Sequence, residues 1–176
     1  MKKDLGRALT YVLRHAPEEI GIVLDGAGWT PVDKLLAAFR KAGYDADMDK
    51  LQAIVAADNK QRFTLSEDFR RIRAAQGHSV KVSLGVPAAS PPDVLFHGTA
   101  AVNLDSIFAT GLNPGSRQQV HLSADVETAL KVGGRHGRPV VLKVDCPAMA
   151  AEGHHFYQAD NGVWLVDTVP PRFLSF

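Results

Sequence analysis

The chain has a single cysteine, Cys146. One thiol can form neither an internal disulfide nor a cysteine-based metal cage. There is no glycine-rich phosphate loop of the G-x-x-x-x-G-K-[ST] type. No apolar run approaches the ~20 residues needed to span a bilayer, so no membrane partner is expected. Met1-Lys2-Lys3-Asp4 opens the chain without the apolar core of a secretory signal, so the expected location is cytoplasmic. Charge of one sign is also lacking. The net charge is +1 over 176 residues, so any contact with nucleic acid must rest on a local basic patch and not on a global field. Internal repeats and low-complexity tails are absent. What remains, with 45% hydrophobic and 22% charged residues, is the composition of an ordinary globular protein, long enough for one large domain or two small lobes.

The first half reads as three helices and a hairpin. Leu5, Ala8, Leu9, Val12 and Leu13 recur at helical spacing, and the helix should end near His15. Thr30-Pro31 reads as an N-cap followed by proline at the first helical position. Val32, Leu35, Leu36 and Phe39 form the buried stripe of that second helix. A third runs from about Met48 to Ala56. Arg62–Leu65 and Phe69–Arg73 then alternate with period two around Ser66-Glu67-Asp68. Three helices followed by a hairpin is the pattern of a winged helix, a shape often used on nucleic acid. Residues 84–92, rich in proline, glycine and alanine, read as a linker. Beyond it, strands are expected at Val94–His97, Val120–Leu122, Val140–Val144, His155–Tyr157 and Val163–Val166, with helices at Val102–Ala109 and Val126–Val132. The fold class expected is α+β, with a mixed α/β second lobe. The domain bounds are 1–83 for the first lobe and 93–176 for the second.

Six clusters of basic and imidazole residues punctuate this frame: Arg14-His15, Lys60 with Arg62, Gln76-Gly77-His78-Ser79, His97-Gly98-Thr99, His121-Leu122-Ser123 and Gly134-Arg135-His136-Gly137. Arginine holds phosphate at two points and keeps its charge, and histidine exchanges a proton near neutrality. Taken singly, each cluster has a plainer explanation. Arg14 and His15 can serve a helix C-terminus, where a cation contributes about 0.3–1 kcal/mol. Lys60 and Arg62 can be a solvated strand edge, and Arg135 can lie on an exposed loop. Gly98, at the end of a strand, would let a ligand approach the backbone. His121 and Ser123 share one face of a short strand, which hints at a lined pocket.

In this order the clusters resemble those of the RNA 2′-phosphotransferase family, NAD-dependent enzymes that strip a 2′-phosphate from RNA. The match is carried by Leu13-Arg14-His15, Lys60-Gln61-Arg62-Phe63, Gln76-Gly77-His78-Ser79, Leu95-Phe96-His97-Gly98-Thr99, Val120-His121-Leu122-Ser123, Arg135–Leu142 and Asn161–Leu165. The resemblance implies an N-terminal winged-helix lobe that binds RNA and a C-terminal ADP-ribosyltransferase-like lobe that binds NAD. It implies two steps. The RNA 2′-phosphate displaces nicotinamide from NAD, and the neighbouring ribose hydroxyl then attacks the phosphorus. The products are RNA with a 2′-hydroxyl and ADP-ribose 1″,2″-cyclic phosphate.

The same resemblance assigns catalysis to Arg14, His15, Arg62 and Arg135, with Arg14 and Arg62 clamping the phosphate and His15 handling the ribose proton. His97, Gly98, Thr99, His121, Ser123 and Val163 would line the NAD pocket. Val163 stands where many ADP-ribosyltransferases carry a glutamate. Lys60, Gln76, His78 and Ser79 would join Arg14 and Arg62 on the RNA phosphate. No metal is expected. A tRNA-like RNA and NAD are the expected partners of a monomer. Two other readings compete: a winged-helix regulator with an inert second lobe, and an ADP-ribosyltransferase acting on a protein or a terminal phosphate.

Overall fold

The computed structural model describes residues 4–135 and 137–176. His136, a member of the last basic cluster, lies outside the described residues. The chain divides into two compact units, one up to Gly85 and one from Val86 onward. Each has its own apolar core.

In the first unit, α1 (Leu5–Arg14) starts where the Asp4 carboxylate accepts the Arg7 amide at 3.1 Å, the usual way to satisfy a helix's first donors. It buries Leu9, Val12 and Leu13. Next come β1 (Thr30–Pro31), α2 (Val32–Lys41) and α3 (Met48–Ala57), then β2 (Phe63–Leu65) and β3 (Arg71–Ala74). α2 buries Val32, Leu35, Leu36 and Phe39, all four of the expected stripe.

The expected cap at Thr30 is corrected. Thr30 is buried in β1 opposite Ile72, and the sheet order is β1-β3-β2. The open edge of β3 captures the Thr30-Pro31 backbone, and the Val32 amide bonds to the Arg70 carbonyl at 2.8 Å. The hairpin turn is also longer than its sequence suggests. The Asp68 carboxylate accepts from Ser66 Oγ at 2.7 Å and from the Arg70 amide at 3.0 Å. That draws Phe69, at φ +59°, into the turn and delays the second strand to Arg71.

The second unit holds β4 (Ala88–Ala89), β5 (Val94–Ala100), α4 (Leu104–Thr110), β6 (Val120–Leu122), α5 (Val126–Gly133), β7 (Pro139–Asp145), α6 (Cys146–Ala151), β8 (Phe156–Gln158), β9 (Trp164–Val166) and β10 (Leu174–Ser175). They form two antiparallel sheets, ordered β10-β7-β5 and β4-β8-β9-β6. Reciprocal bonds between Phe96 and Ser123, 2.9 and 2.8 Å, join β5 to the end of β6. The stretch read as linker is not all connecting chain, because Ala88-Ala89 completes the edge of β8. Among the described residues no helix is long and apolar enough to cross a membrane.

α5 lies against β5 at two glycines. A Cβ on Gly98 would overlap the Ala129 carbonyl oxygen and come 2.9 Å from the Gly133 nitrogen, and one on Gly133 would come 2.7 Å from the Thr99 carbonyl oxygen. The expectation that Gly98 leaves room for a ligand is therefore corrected: a helix backbone fills that room. Gly98→Ala should force α5 away from the strand. Overpacking of this kind costs roughly 1–3 kcal/mol, read as a lower melting temperature by calorimetry. A melting temperature equal to that of the unsubstituted protein would show that α5 yields freely.

Candidate active site

The first cluster forms where α1 ends. Arg14 is the last helical residue and His15 the C-cap, so the helix's final carbonyls need donors. The amides of Ser79 and Val80 supply them to the Arg14 carbonyl, at 2.9 and 3.3 Å. This docks the Gln76–Ser79 segment onto the helix end. Gly77 has φ +89°, and a Cβ there would sit 3.1 Å from both Nε and Cζ of Arg14. Glycine thus serves both a left-handed turn and the seating of a guanidinium against the backbone. His15 is exposed, and its Nδ1 is 2.8 Å from Ser79 Oγ. Ser79 therefore fixes the ring plane and directs the other ring nitrogen, Nε2, to the opposite side. A hydrogen bond that orients a base in this way is a recurrent part of proton-transfer sites.

Arg62 is held by a residue that motif reading missed. Asp58 caps α3, and its carboxylate accepts from the Arg62 amide at 2.8 Å, Arg62 Nη1 at 3.1 Å and the Lys60 amide at 3.1 Å. Gln61 takes φ +48° in the resulting turn. The Asp58 side chain is 8% exposed and that of Arg62 36%. A buried carboxylate thus aims a half-exposed arginine. The available signal was an aspartate placed just before Asn59-Lys60-Gln61-Arg62, the composition of a side-chain-capped turn. Lys60 is exposed, and Gln76 is half-buried with an Oε1 that no described residue bonds.

His78 is buried, whereas His15 and Ser79 beside it in the cluster are exposed. It is 2% exposed, and its Nε2 faces Gly28, where a Cβ would come within 3.2 Å. Burial, and then the charges of Arg14, Arg73 and His15, push its pKa down to about 4. Burial disfavours the charged form of this imidazole, whose Nε2 no described residue bonds. Its folded value lies below the ordinary 6.5, so the unfolded chain takes up the proton first. The stability this neutral ring confers is complete above about 6.5 and is lost as pH falls towards about 4. Urea midpoints should fall across that window, and His78→Gln should flatten the fall. An unchanged slope in that variant would assign the effect elsewhere.

In the second unit, His97 lies mid-strand and half-buried, with Nδ1 3.2 Å from the His121 carbonyl. A carbonyl only accepts, so Nδ1 carries the proton and Nε2 is an acceptor. Burial lowers the His97 pKa, partly opposed by that bond. His121 has the opposite tautomer. Arg117 Nη1 is 2.7 Å from its Nδ1, and arginine only donates, so the His121 proton sits on Nε2. Leu122 is buried between half-buried His121 and Ser123, as the strand alternation requires. Thr99 is 7% exposed and its hydroxyl accepts from Asn103 at 3.3 Å, so it serves the following turn. Val163 precedes β9, with its amide on Asn161 Oδ1 at 3.2 Å. Arg135 is exposed just beyond α5. Arg117 was missed by motif reading, although it stands four residues before His121. Among the described residues no group of three or more His, Cys, Asp or Glu is placed to hold a metal ion.

Arginines and imidazoles with few carboxylates among them are residue types suited to phosphate. A family model described as RNA 2′-phosphotransferase, Tpt1 / KptA family, matches residues 1–168. A protein of Agrobacterium fabrum named probable RNA 2′-phosphotransferase is 59% identical over 175 residues, covering 99% of this chain and 94% of the relative. Proteins with the same name from Burkholderia lata and Hahella chejuensis are 53% and 51% identical, covering 97% and 98% of this chain and 89% and 93% of the relatives. The chain belongs to the RNA 2′-phosphotransferase family, whose members are transferase enzymes. Membership supports an RNA substrate and removal of its 2′-phosphate.

Proposed function

We propose that this protein passes an internal RNA 2′-phosphate to the ribose of NAD, yielding RNA with a 2′-hydroxyl, nicotinamide and ADP-ribose 1″,2″-cyclic phosphate. The observation that carries the reading is the family match over residues 1–168. His97 and His121, half-buried and linked through the His121 carbonyl at 3.2 Å, are residue types suited to the hydroxyls and amide of a dinucleotide. Arg117 and Arg135, the latter bearing on the former electrostatically, suit its phosphates. When bound, NAD supplies an anomeric carbon with nicotinamide as leaving group.

The chain's own residues supply the rest. His97 Nε2 accepts from a ribose hydroxyl, and His121 Nε2 donates. Ser123 and the β5 backbone at Gly98 and Thr99 line the same strand ends, with Gly98 acting through the seating of α5. Val163 contributes an apolar contact and no acid. Arg14 and Arg62 clamp the RNA phosphate, with Lys60 and Gln76 beside them. His15, oriented by Ser79, takes and returns the proton of the ribose hydroxyl. Arg135 aligns the phosphate for the first attack.

Three helices beside a three-stranded sheet support a winged-helix, RNA-binding first lobe (1–83), joined through 84–92 to an ADP-ribosyltransferase-like NAD lobe (93–176). A tRNA-like acceptor, a monomeric state and a cytoplasmic location complete the reading. Incubation with NAD and an RNA bearing one internal 2′-phosphate tests it. Nicotinamide should appear only when that RNA is present, and chelator should leave the rate unchanged. Nicotinamide release at the same rate without RNA would overturn the transferase reading, and labelling of a terminal phosphate instead would change the acceptor.

A further inference from the structure

A groove of about 760 Å³ opens on the first unit between the start of α2, the start of α3 and the β2–β3 turn. Pro31, Val32, Leu36, Met48 and Phe69 give it an apolar lining. Val32 and Leu36 are 4% and 7% exposed and belong to the core, but Phe69 is 52% exposed and lies outside it. Phe69 also holds φ +59°, a backbone region that a bulky side chain rarely enters. The turn that imposes it closes with the Phe69 amide on the Ser66 carbonyl at 2.9 Å. Glycine would occupy this position without strain. Packing does not account for an aromatic ring held there at the surface, and a strained residue of this kind points to a use.

The rim selects the occupant. Arg70 and Arg71 line the same groove and are exposed, and Arg71 lies over the Trp29 ring at 5.1 Å. The Asp68 carboxylate is engaged within its own turn by Ser66 Oγ and the Arg70 amide. Asp33, exposed at the start of α2, is an acceptor suited to the exocyclic amine of a base. An aromatic face flanked by arginines is the arrangement that holds single-stranded nucleic acid, with the ring on a base and the cations on phosphates. The groove also continues from the Arg62 cluster. Phe63 pairs with Ala74 and Leu65 with Ile72, so Arg62 and Phe69 stand at opposite ends of one hairpin, roughly 10–15 Å apart at ~3.3 Å per residue. α3 spans the same interval: it is ten residues long, with Met48 first and Asp58 as its C-cap, which gives about 15 Å. That length matches about three or four stacked nucleotides.

We propose that this groove binds a base of the RNA strand about three or four nucleotides from the one that bears the 2′-phosphate, with Phe69 stacked on the base and Arg70 and Arg71 on its flanking phosphates. The proposal rests on the reading of RNA as substrate and extends the contact beyond the phosphate clamp of Arg14 and Arg62.

The test uses Phe69→Gly, Phe69→Trp and Arg70→Gln in the whole chain. Glycine removes the ring at a φ it adopts freely, so the melting temperature should not fall. Tryptophan keeps a stacking face. Affinities are measured for a dinucleotide with a 2′-phosphate and for a longer RNA with about four nucleotides on each side of the phosphorylated one. Phe69→Gly should weaken the longer RNA by on the order of 10-fold, Phe69→Trp should restore it, and the dinucleotide should bind all three proteins alike. Arg70→Gln should lower the salt slope of the longer RNA by about 1. A fluorescent adenine analogue moved along the longer RNA should be quenched about three or four nucleotides from the phosphate, and the quenching should vanish in Phe69→Gly.

Unchanged affinity of Phe69→Gly for the longer RNA, an equal loss for the dinucleotide, or quenching at no position would overturn the proposal and give the groove to another class of partner. Failure of the function reading looks different. Phe69-dependent binding of the longer RNA with no phosphate transferred would sustain the groove and remove the activity. Phosphate transfer from both RNAs, with Phe69→Gly indistinguishable from the unsubstituted protein, would sustain the activity and remove the groove.

Discussion

Arg14→Ala, His15→Ala and Arg62→Ala should each accumulate RNA that carries ADP-ribose on its 2′-phosphate. The charge on phosphorus grows most when the ribose hydroxyl attacks it, and these residues bear on that step. Removing one pre-placed donor commonly costs on the order of 10²-fold or more in rate. Two controls follow from the geometry. Arg62→Ala leaves the Asp58 carboxylate, 8% exposed, without its guanidinium, so folding is checked by circular dichroism and Arg62→Lys is run beside it. Ser79→Ala removes the group that orients His15 across 2.8 Å. It should slow the same step less than His15→Ala does and should deform the pH profile of that step. Folded variants that accumulate no such RNA would show that these residues act before the phosphate is transferred.

Arg135→Ala should give the reverse result: little modified RNA formed, yet a pre-made sample resolved at a substantial rate. Arg135 lies on the unit that carries the imidazole pair, and the reading gives it the alignment of the first attack. Correct alignment of two reactants is one of the largest contributions a site makes, so the first step should fall by about 10² or more. Arg135→Lys should recover only part, because a point charge does not reproduce a planar fork. Normal formation with blocked resolution would move Arg135 to the second step. A neutral result would return it to an exposed loop.

Periodicity made the helices of the first unit legible. Leu9, Val12 and Leu13 bury as their spacing requires, and the α1 end falls on Arg14-His15. What escaped depends on contacts distant in sequence. β1 exists because β3 has an open edge for Thr30, and β4 because β8 has one for Ala88. α6, six residues long, is too short for its pattern to repeat. At the candidate site, residue types located the clusters but not the roles within them. Asp58 aiming Arg62, Arg117 setting His121 and Ser79 turning His15 are relations between side chains. Burial of His78 depends on Gly28, fifty positions earlier in the chain.

The paired glycines at 98 and 133 also constrain how this sequence can drift. A Cβ at either position would meet backbone of the opposite element, that of Ala129 or of Thr99, so a methyl group gained at one position cannot be compensated by a smaller side chain opposite. Random mutagenesis under selection for activity should return both positions unvaried, while exposed Val126, Leu130 and Lys131 on the same helix change freely. Arg135 lies two residues past this junction. Its starting point is therefore set by a helix–strand spacing that selection cannot tune in small increments.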